Sequence, residues 1–344
     1  MVGKPEQLTF TAETLSHWLH HAGTLPSGAV TDLHIELEIE TTTSNLVFVT
    51  AAYSAEAPAD LPRRLAIKSP FITPALSDLQ NEVQFYRQLA PDIGMPPSVR
   101  CLATVEDGTI VLEDLRSTHD NPPGPLPASR SECERALEAL ARVHGQYWEA
   151  PSLGQTVGKP HTTESLTSMV QGIAAHLPAF MDALGDALSV EGRNVYERVF
   201  SSSLKPWLRL TDQRALTVIH GDAHTGNFLF PRSGDGAAFL IDWQLWHIDV
   251  GARDLAFFIA LNWYPSRRRE LEVPLLRHYH ERLMADGVKN YSFDDLWLDY
   301  RRGAVRNLTI PILFWKRGMK PEGWWHRLEC VLAAYHDLKC EELL

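Results

Sequence analysis

The first third of the chain alternates. Leu33, Ile35, Leu37 and Ile39 are interleaved with His34, Glu36, Glu38 and Glu40, the period-two pattern of a strand with one wet face. The polar run Thr41-Thr-Thr-Ser-Asn45 predicts a turn, and Leu46 to Tyr53 a returning strand. Arg64 to Lys68 reads as a third strand, with Leu65 and Ile67 facing one way and Ala66 and Lys68 the other, and Thr109 to Glu113 as a further one. Helical spacing intervenes twice. Leu15, Trp18, Leu19 and Ala22 line one face ahead of Gly23, and Leu79, Val83 and Tyr86 form a stripe between a Ser77/Gln80 capping box and Pro91, which is expected to end that helix. Glu82 falls on the same apolar stripe, where a charge is costly unless a partner neutralises it.

Beyond about residue 130 the period changes to that of helices. Glu132 to Trp148 carries Leu137, Leu140, Ala141 and His144 on one face, and Ser292 with Asp295 opens another helix through Leu296, Leu298 and Tyr300. The last 40 residues are helical in pattern and rich in Trp, as packing residues first and a pocket lining second. One strand-rich island interrupts this region near residues 215–245, and the Pro/Gly-rich stretch Asn121 to Pro127 marks the connection between the two textures. The expected division is a first lobe over residues 1–115 and a second over 116–344.

Composition narrows the function classes. Of 344 residues 44 % are apolar and 22 % charged, which is the make-up of a folded protein, and the net charge of −11 disfavours nucleic acid and anionic membrane as partners. The longest strongly apolar stretch, Leu255 to Leu261, is far short of the roughly 20 residues of a spanning helix. The first ten residues contain no apolar signal region, so the expected location is the cytoplasm. Four scattered cysteines with no C-x-x-C pair suit neither a disulfide framework nor a structural zinc site.

The island holds the chemistry. Leu216 to Ile219 reads as a short apolar strand that runs into His220-Gly-Asp-Ala-His-Thr-Gly-Asn227; a strand pair then leads to Asp242-Trp243. Two strand ends thus deliver carboxylates, Asp222 and Asp242, 20 residues apart with Asn227 between them. Oxygen-only ligands of this kind suit Mg²⁺, which takes one or two carboxylates and completes its shell with water and phosphate oxygens. His220 and His224 could instead be metal ligands, but the glycines at 221 and 226 oppose a helix and no third His or Cys is evident nearby.

The run H-G-D-x-H-x-G-N, the following I-D-W and Gly251-Ala-Arg-Asp-Leu-Ala256 resemble the aminoglycoside phosphotransferase and choline kinase superfamily, and within it the ecdysteroid-kinase-like branch. Leu65-Ala-Ile-Lys68, Glu82 and Val111-Leu-Glu-Asp-Leu115 resemble further elements of that superfamily in its order, so the likeness spans about residues 30–340. It implies an α+β, two-lobed protein-kinase-like fold, with a small antiparallel-sheet N-lobe and a larger, mainly helical C-lobe. The implied activity is transfer of the ATP γ-phosphoryl group to a hydroxyl of a small organic substrate. Carried over residue by residue, the resemblance makes Asp222 the group that takes the hydroxyl proton, and Asn227 and Asp242 the Mg²⁺ ligands. Lys68, aimed by Glu82, would meet the α/β-phosphates, and the backbone of Glu113 and Leu115 the adenine edge. His220 would brace the catalytic loop and Asp254 anchor it from below. The chain departs from the pattern at 41–45, where no glycine stands in the turn and Ser44 is left as the phosphate-capping candidate. That departure keeps open an alternative, a pseudokinase that binds nucleotide or a partner without turnover.

Overall fold

The computed structural model describes residues 11–41, 44–71, 76–122, 128–202, 204–234 and 236–344, with the side chains of 76–79 left out. The predicted Ser77 cap and Leu79, the turn residues Thr42 and Thr43, and Pro123 to Pro127 of the connection therefore lie outside the described residues. The chain divides into two compact units, one of residues 1–121 with 228–246 and the other of 122–227 with 247–344. The expected boundary at 115 differs from this division chiefly in the segment 228–246, which is grouped with the first unit.

The first unit is built on a five-stranded antiparallel sheet, β1 (Val30–Glu40), β2 (Ser44–Tyr53), β3 (Arg64–Pro70), β4 (Cys101–Thr104) and β5 (Ile110–Glu113), in the order β1-β2-β3-β5-β4. Helix α1 (Ala12–His21), capped by the Thr11 hydroxyl, lays Leu15 and Leu19 on one face of the sheet. Val47, Val49, Leu65, Ile67 and Val111 complete that core. Lys68 is consequently on the opposite face, because strand side chains alternate.

The strict alternation of β1 does not give one dry face. A bulge between Ile35 and Leu37 sets two residues of β1 against one of β2, so that Ile35 pairs with Val49 but Leu37 pairs with Phe48 and Ile39 with Leu46. Leu33 and Ile35 follow the core face, whereas Leu37 and Ile39 join Leu46, Phe48, Ala66 and Lys68 on the other. Ile35, Leu37 and Ile39 are all more than 40 % exposed, since β1 is an edge strand.

Helix α2 (Leu76–Gln84) does not stop at Pro91. A π-helical turn, Phe85–Leu89, carries the axis onward, and Pro91 sits in the first turn of the short helix Ala90–Ile93. There the missing N–H of proline has no helical partner to lose. The unit also contains a three-stranded sheet made by His119–Asp120, Phe228–Pro231 and Phe239–Leu240.

The second unit is mainly helical around one two-stranded sheet, in which Leu216–Ile219 pairs antiparallel with His247–Val250. Helix Arg130–Gln146 opens with a capping box at Ser129 and Glu132 and buries Leu137, Leu140, Ala141 and His144. Helix Phe293–Arg306 opens with the Ser292/Asp295 box. Trp315 and Trp324 from near the C-terminus each pack a ring against Phe180, and Trp324 is fully buried. At the Trp-rich end Trp324 is thus core, whereas Trp315 and Trp325 are partly buried. No helix among the described residues is long and apolar enough to cross a membrane.

Candidate functional site

The candidate residues fall into two sets, one in each unit. In the first, β3 presents Lys68 on the face away from the α1 core, and its Nζ donates to Glu82 Oε2 and to Asp242 Oδ1, each at 2.7 Å. Glu82 is 1 % exposed, while the Asp242 carboxylate is 41 % exposed. Burial opposes the charge on Lys68, but the two carboxylates outweigh it and raise its pKa, so the ammonium is held. For Glu82, burial dominates and raises the carboxyl pKa, with the like charge of Asp242 adding to the rise and Lys68 opposing it.

Tertiary contacts around this set explain why Asp242 is where it is. Glu82 Oε1 accepts the Trp243 backbone N–H at 3.2 Å, and the Trp243 ring stacks on Phe85 at 3.7 Å between centroids. Asn81 clamps the same loop, donating through Nδ2 to the carbonyls of Gln244 and Trp246, while its own carbonyl accepts Trp246 Nε1–H at 2.7 Å. Asp242 itself is left-handed, with φ 66° and ψ 63°, a conformation that for a non-glycine residue costs about 1 kcal/mol and is kept only where neighbours impose it. Sequence reasoning did not find Asn81 or Phe85. The only signal was their place on the helix that carries Glu82.

Of the other candidates in this unit, Glu113 ends β5 with its N–H on the Arg100 carbonyl. Leu115 follows in a turn where its carbonyl accepts the N–H groups of Thr118 and His119, while its own N–H has no partner among the described residues. Ser44 is fully buried, and its hydroxyl and N–H are both on the Thr41 hydroxyl, at 2.9 and 3.0 Å. Among the described residues no hydrogen bond joins Ser44 to the Lys68 cluster.

The second set is built on the end of Leu216–Ile219. Asp254, fully buried in the helix Ala252–Leu255, accepts the backbone N–H groups of His220 and Gly221 at 2.7 and 2.9 Å. Burial works against this carboxylate, yet His144, His220 and the backbone donors prevail and lower its pKa. Behind it the His144 ring lies between Asp254 Oδ2 at 3.3 Å and the Tyr279 hydroxyl at 2.8 Å. A side chain at Gly251 would come within 2.7 Å of both His144 Nδ1 and the Tyr279 oxygen, so glycine is required there. His144 was legible only as a polar residue on an apolar helix face, and Tyr279 not at all.

Above this anchor, Gly221 turns with φ 82° and the Asp222 N–H donates to His220 Nδ1. Asn227 Nδ2 donates to the Asp222 carbonyl at 2.9 Å and lies 3.4 Å from its carboxylate. The amide nitrogen is thereby committed, which orients Oδ1 as the acceptor end of Asn227. His224 Nδ1 accepts the Gly226 N–H, and its Nε2 lies 3.7 Å from Asp222 Oδ2. Hard oxygen donors on Asn227 and Asp242 fit Mg²⁺ by their chemistry, each within its own unit.

A crystal structure of a provisionally assigned aminoglycoside phosphotransferase from Ralstonia eutropha is similar with a TM-score of 0.62 at 14 % identity, covering 96 % of this chain and 99 % of that one. Choline kinase from Cryptosporidium parvum is similar with a TM-score of 0.57 at 10 % identity, over 91 % of each chain. Plasmodium vivax ethanolamine kinase gives 0.55 at 12 % identity, over 89 % and 81 %. At these identities the likeness defines the fold, that of the small-molecule, kinase-like phosphotransferases. No curated protein matches the chain. The family model of the ecdysteroid kinase-like family matches residues 71–290, and the chain belongs to that family.

Proposed function

We infer that this protein is an ATP- and Mg²⁺-dependent kinase that transfers the γ-phosphoryl group to a hydroxyl of a small organic molecule. The observation that carries the reading is the Lys68 ammonium, held charged on a buried carboxylate and a half-exposed one. Positioning and charge neutralisation supply most of the rate in phosphoryl transfer, so such a fixed cation is the part the chemistry needs first. Lys68 is assigned to the α/β-phosphates, and the Glu113 and Leu115 backbone to the adenine edge. Asn227 through Oδ1 and Asp242 through its carboxylate are assigned to the metal. Bound there, Mg²⁺ would neutralise charge on the phosphate oxygens. Asp222 takes the proton from the acceptor hydroxyl as that oxygen attacks phosphorus, and Asp254 and His220 keep its loop in place without reacting.

The test is Asp222→Asn. Using a hydroxyl compound found by thermal-shift screening with MgATP, ADP release is expected to fall about 1000-fold or more, with MgATP affinity within about twofold of the wild type. Turnover that survives the substitution overturns the assignment. The commitment of the Ser44 hydroxyl to Thr41 favours one second reading, a pseudokinase with a weakened phosphate cover. MgATP binding with no ADP release from any screened compound is the result that would select it.

A further inference from the structure

Against the edge strand β4 of the first unit lies a cleft of about 710 Å³, within the range of small-molecule sites. None of the residues assigned above to nucleotide, metal or proton transfer lines it. Its two walls are the flank of helix α1 and the π-helical turn Phe85–Leu89, and each is tied to the strand. Thr24, just beyond α1, donates its hydroxyl to the Leu102 carbonyl at 2.6 Å. Arg87 donates from Nε to the Thr104 hydroxyl at 2.6 Å and from Nη2 to the Thr104 carbonyl at 3.2 Å. These bonds fix the walls relative to the strand. They also cap two carbonyls of the sheet edge, which opposes the pairing of a peptide strand there and leaves a small molecule as the occupant.

The side chains set the chemistry of the cleft. Arg87 lines one wall, and both of its partners are neutral oxygens of Thr104, so a ligand carboxylate meets a positioned cation. On the other wall His17 and His21, one helical turn apart on α1, add ring nitrogens. Trp18 between them offers a flat apolar surface. Glu106 is the one acid in the lining, and it is exposed to solvent. Tyr86, beside Arg87 in the same wall, carries a buried hydroxyl with no hydrogen-bond partner among the described residues, so the wall holds an unmet polar group as well. We propose that this cleft is a binding site for a small organic anion with a flat apolar body, an aromatic carboxylate or similar, its carboxylate taken by Arg87 and its ring by Trp18. The proposal goes beyond the phosphotransferase reading and does not rest on it.

Three compounds of one shape serve as probes: 2-naphthoate, 2-naphthamide and 2-naphthylmethylammonium. Their affinities for the full chain are measured by isothermal titration calorimetry. The naphthoate is expected to bind with a dissociation constant below about 1 mM and at least about fivefold tighter than the amide, with the ammonium weakest. Arg87→Gln is expected to bring the naphthoate down to the affinity of the amide. Arg87→Lys, which keeps the charge but loses the fork, is expected to keep the order with weaker binding. Ala22→Trp, at an exposed position of the lining, fills the cleft and is expected to weaken the naphthoate at least about fivefold; it decides the question if Arg87→Gln does not fold, as thermal unfolding will show. Naphthoate binding weaker than about 1 mM, a smaller preference over the amide, a preference for the ammonium, or an affinity that survives either substitution would each overturn the proposal. Because the measurement is made at equilibrium without nucleotide, its outcome is separate from that of the turnover test on Asp222.

Discussion

Each unit buries one carboxylate under its candidate chemistry, and the two behave in opposite ways. Asp254 in the second unit receives two backbone N–H groups and faces histidine rings, and its pKa is lowered. Glu82 in the first unit receives one backbone N–H and half of a lysine that it shares with Asp242, and its pKa is raised. Burial penalises both. The difference lies in the donors, since backbone N–H groups bring no counter-anion, whereas Lys68 brings a second carboxylate with it. Asp254 is therefore a structural fixture that must stay charged to hold the Asp222 loop. Glu82 belongs to a charge-shared set whose balance shifts when Lys68 or Asp242 takes another partner, which is what a phosphate and a metal would be.

The sharpest way to break this comparison is Asp254→Asn. An amide oxygen cannot replace both carboxylate oxygens toward His220 and Gly221, and buried donors are left unmet. Denaturant unfolding is expected to show a loss of about 3 kcal/mol. A loss below 1 kcal/mol would mean that the loop does not need its anchor.

A smaller effect separates the two carboxylates by pH. Because the folded pKa of Asp254 is depressed, its stabilisation is complete above the unfolded value of about 4 and is lost as pH falls below it. Glu82 has the reverse sign. Its folded pKa is raised, so its contribution is fully present below the unfolded value of about 4.3 and is lost as pH rises through the folded one. Urea unfolding between pH 3 and 8 should accordingly lose part of its acid limb in Asp254→Asn, and part of its decline above about pH 4.5 in Glu82→Gln. Identical profiles for both variants would remove the contrast.

The smallest effect is a gain. Tyr86, one helical turn beyond Glu82, has a buried hydroxyl with no hydrogen-bond partner among the described residues. Tyr86→Phe should therefore leave stability unchanged or raise it by about 1 kcal/mol. A loss above about 1 kcal/mol in thermal unfolding would show that this hydroxyl does bind something in solution.

Much of this was legible from local rules. Strand alternation put Lys68 opposite Leu65 and Ile67, helical spacing put Glu82 on a buried face, and capping chemistry set the start at Ser292. These depend on backbone geometry within a few residues, which the sequence carries completely. The bulge at Ile35–Leu37 was not legible, because the alternation runs through it unbroken and only pairing with β2 reveals the shift in register. The continuation past Pro91 was missed for a similar reason, since the π-helical turn that makes room for the proline leaves no mark in residue type.

The same division holds for the candidate chemistry. Residue types at fixed spacing were enough to single out Asp222, Asn227 and Asp242, because carboxylates and amides at strand ends are already a chemical statement. Only the folded chain could add Asn81 and Phe85 beneath Asp242, and His144 and Tyr279 behind Asp254. His144 and Asp254 are 110 positions apart in the chain. A partner at that separation is chosen by packing, which sums many weak contacts across elements, and no local pattern encodes that sum.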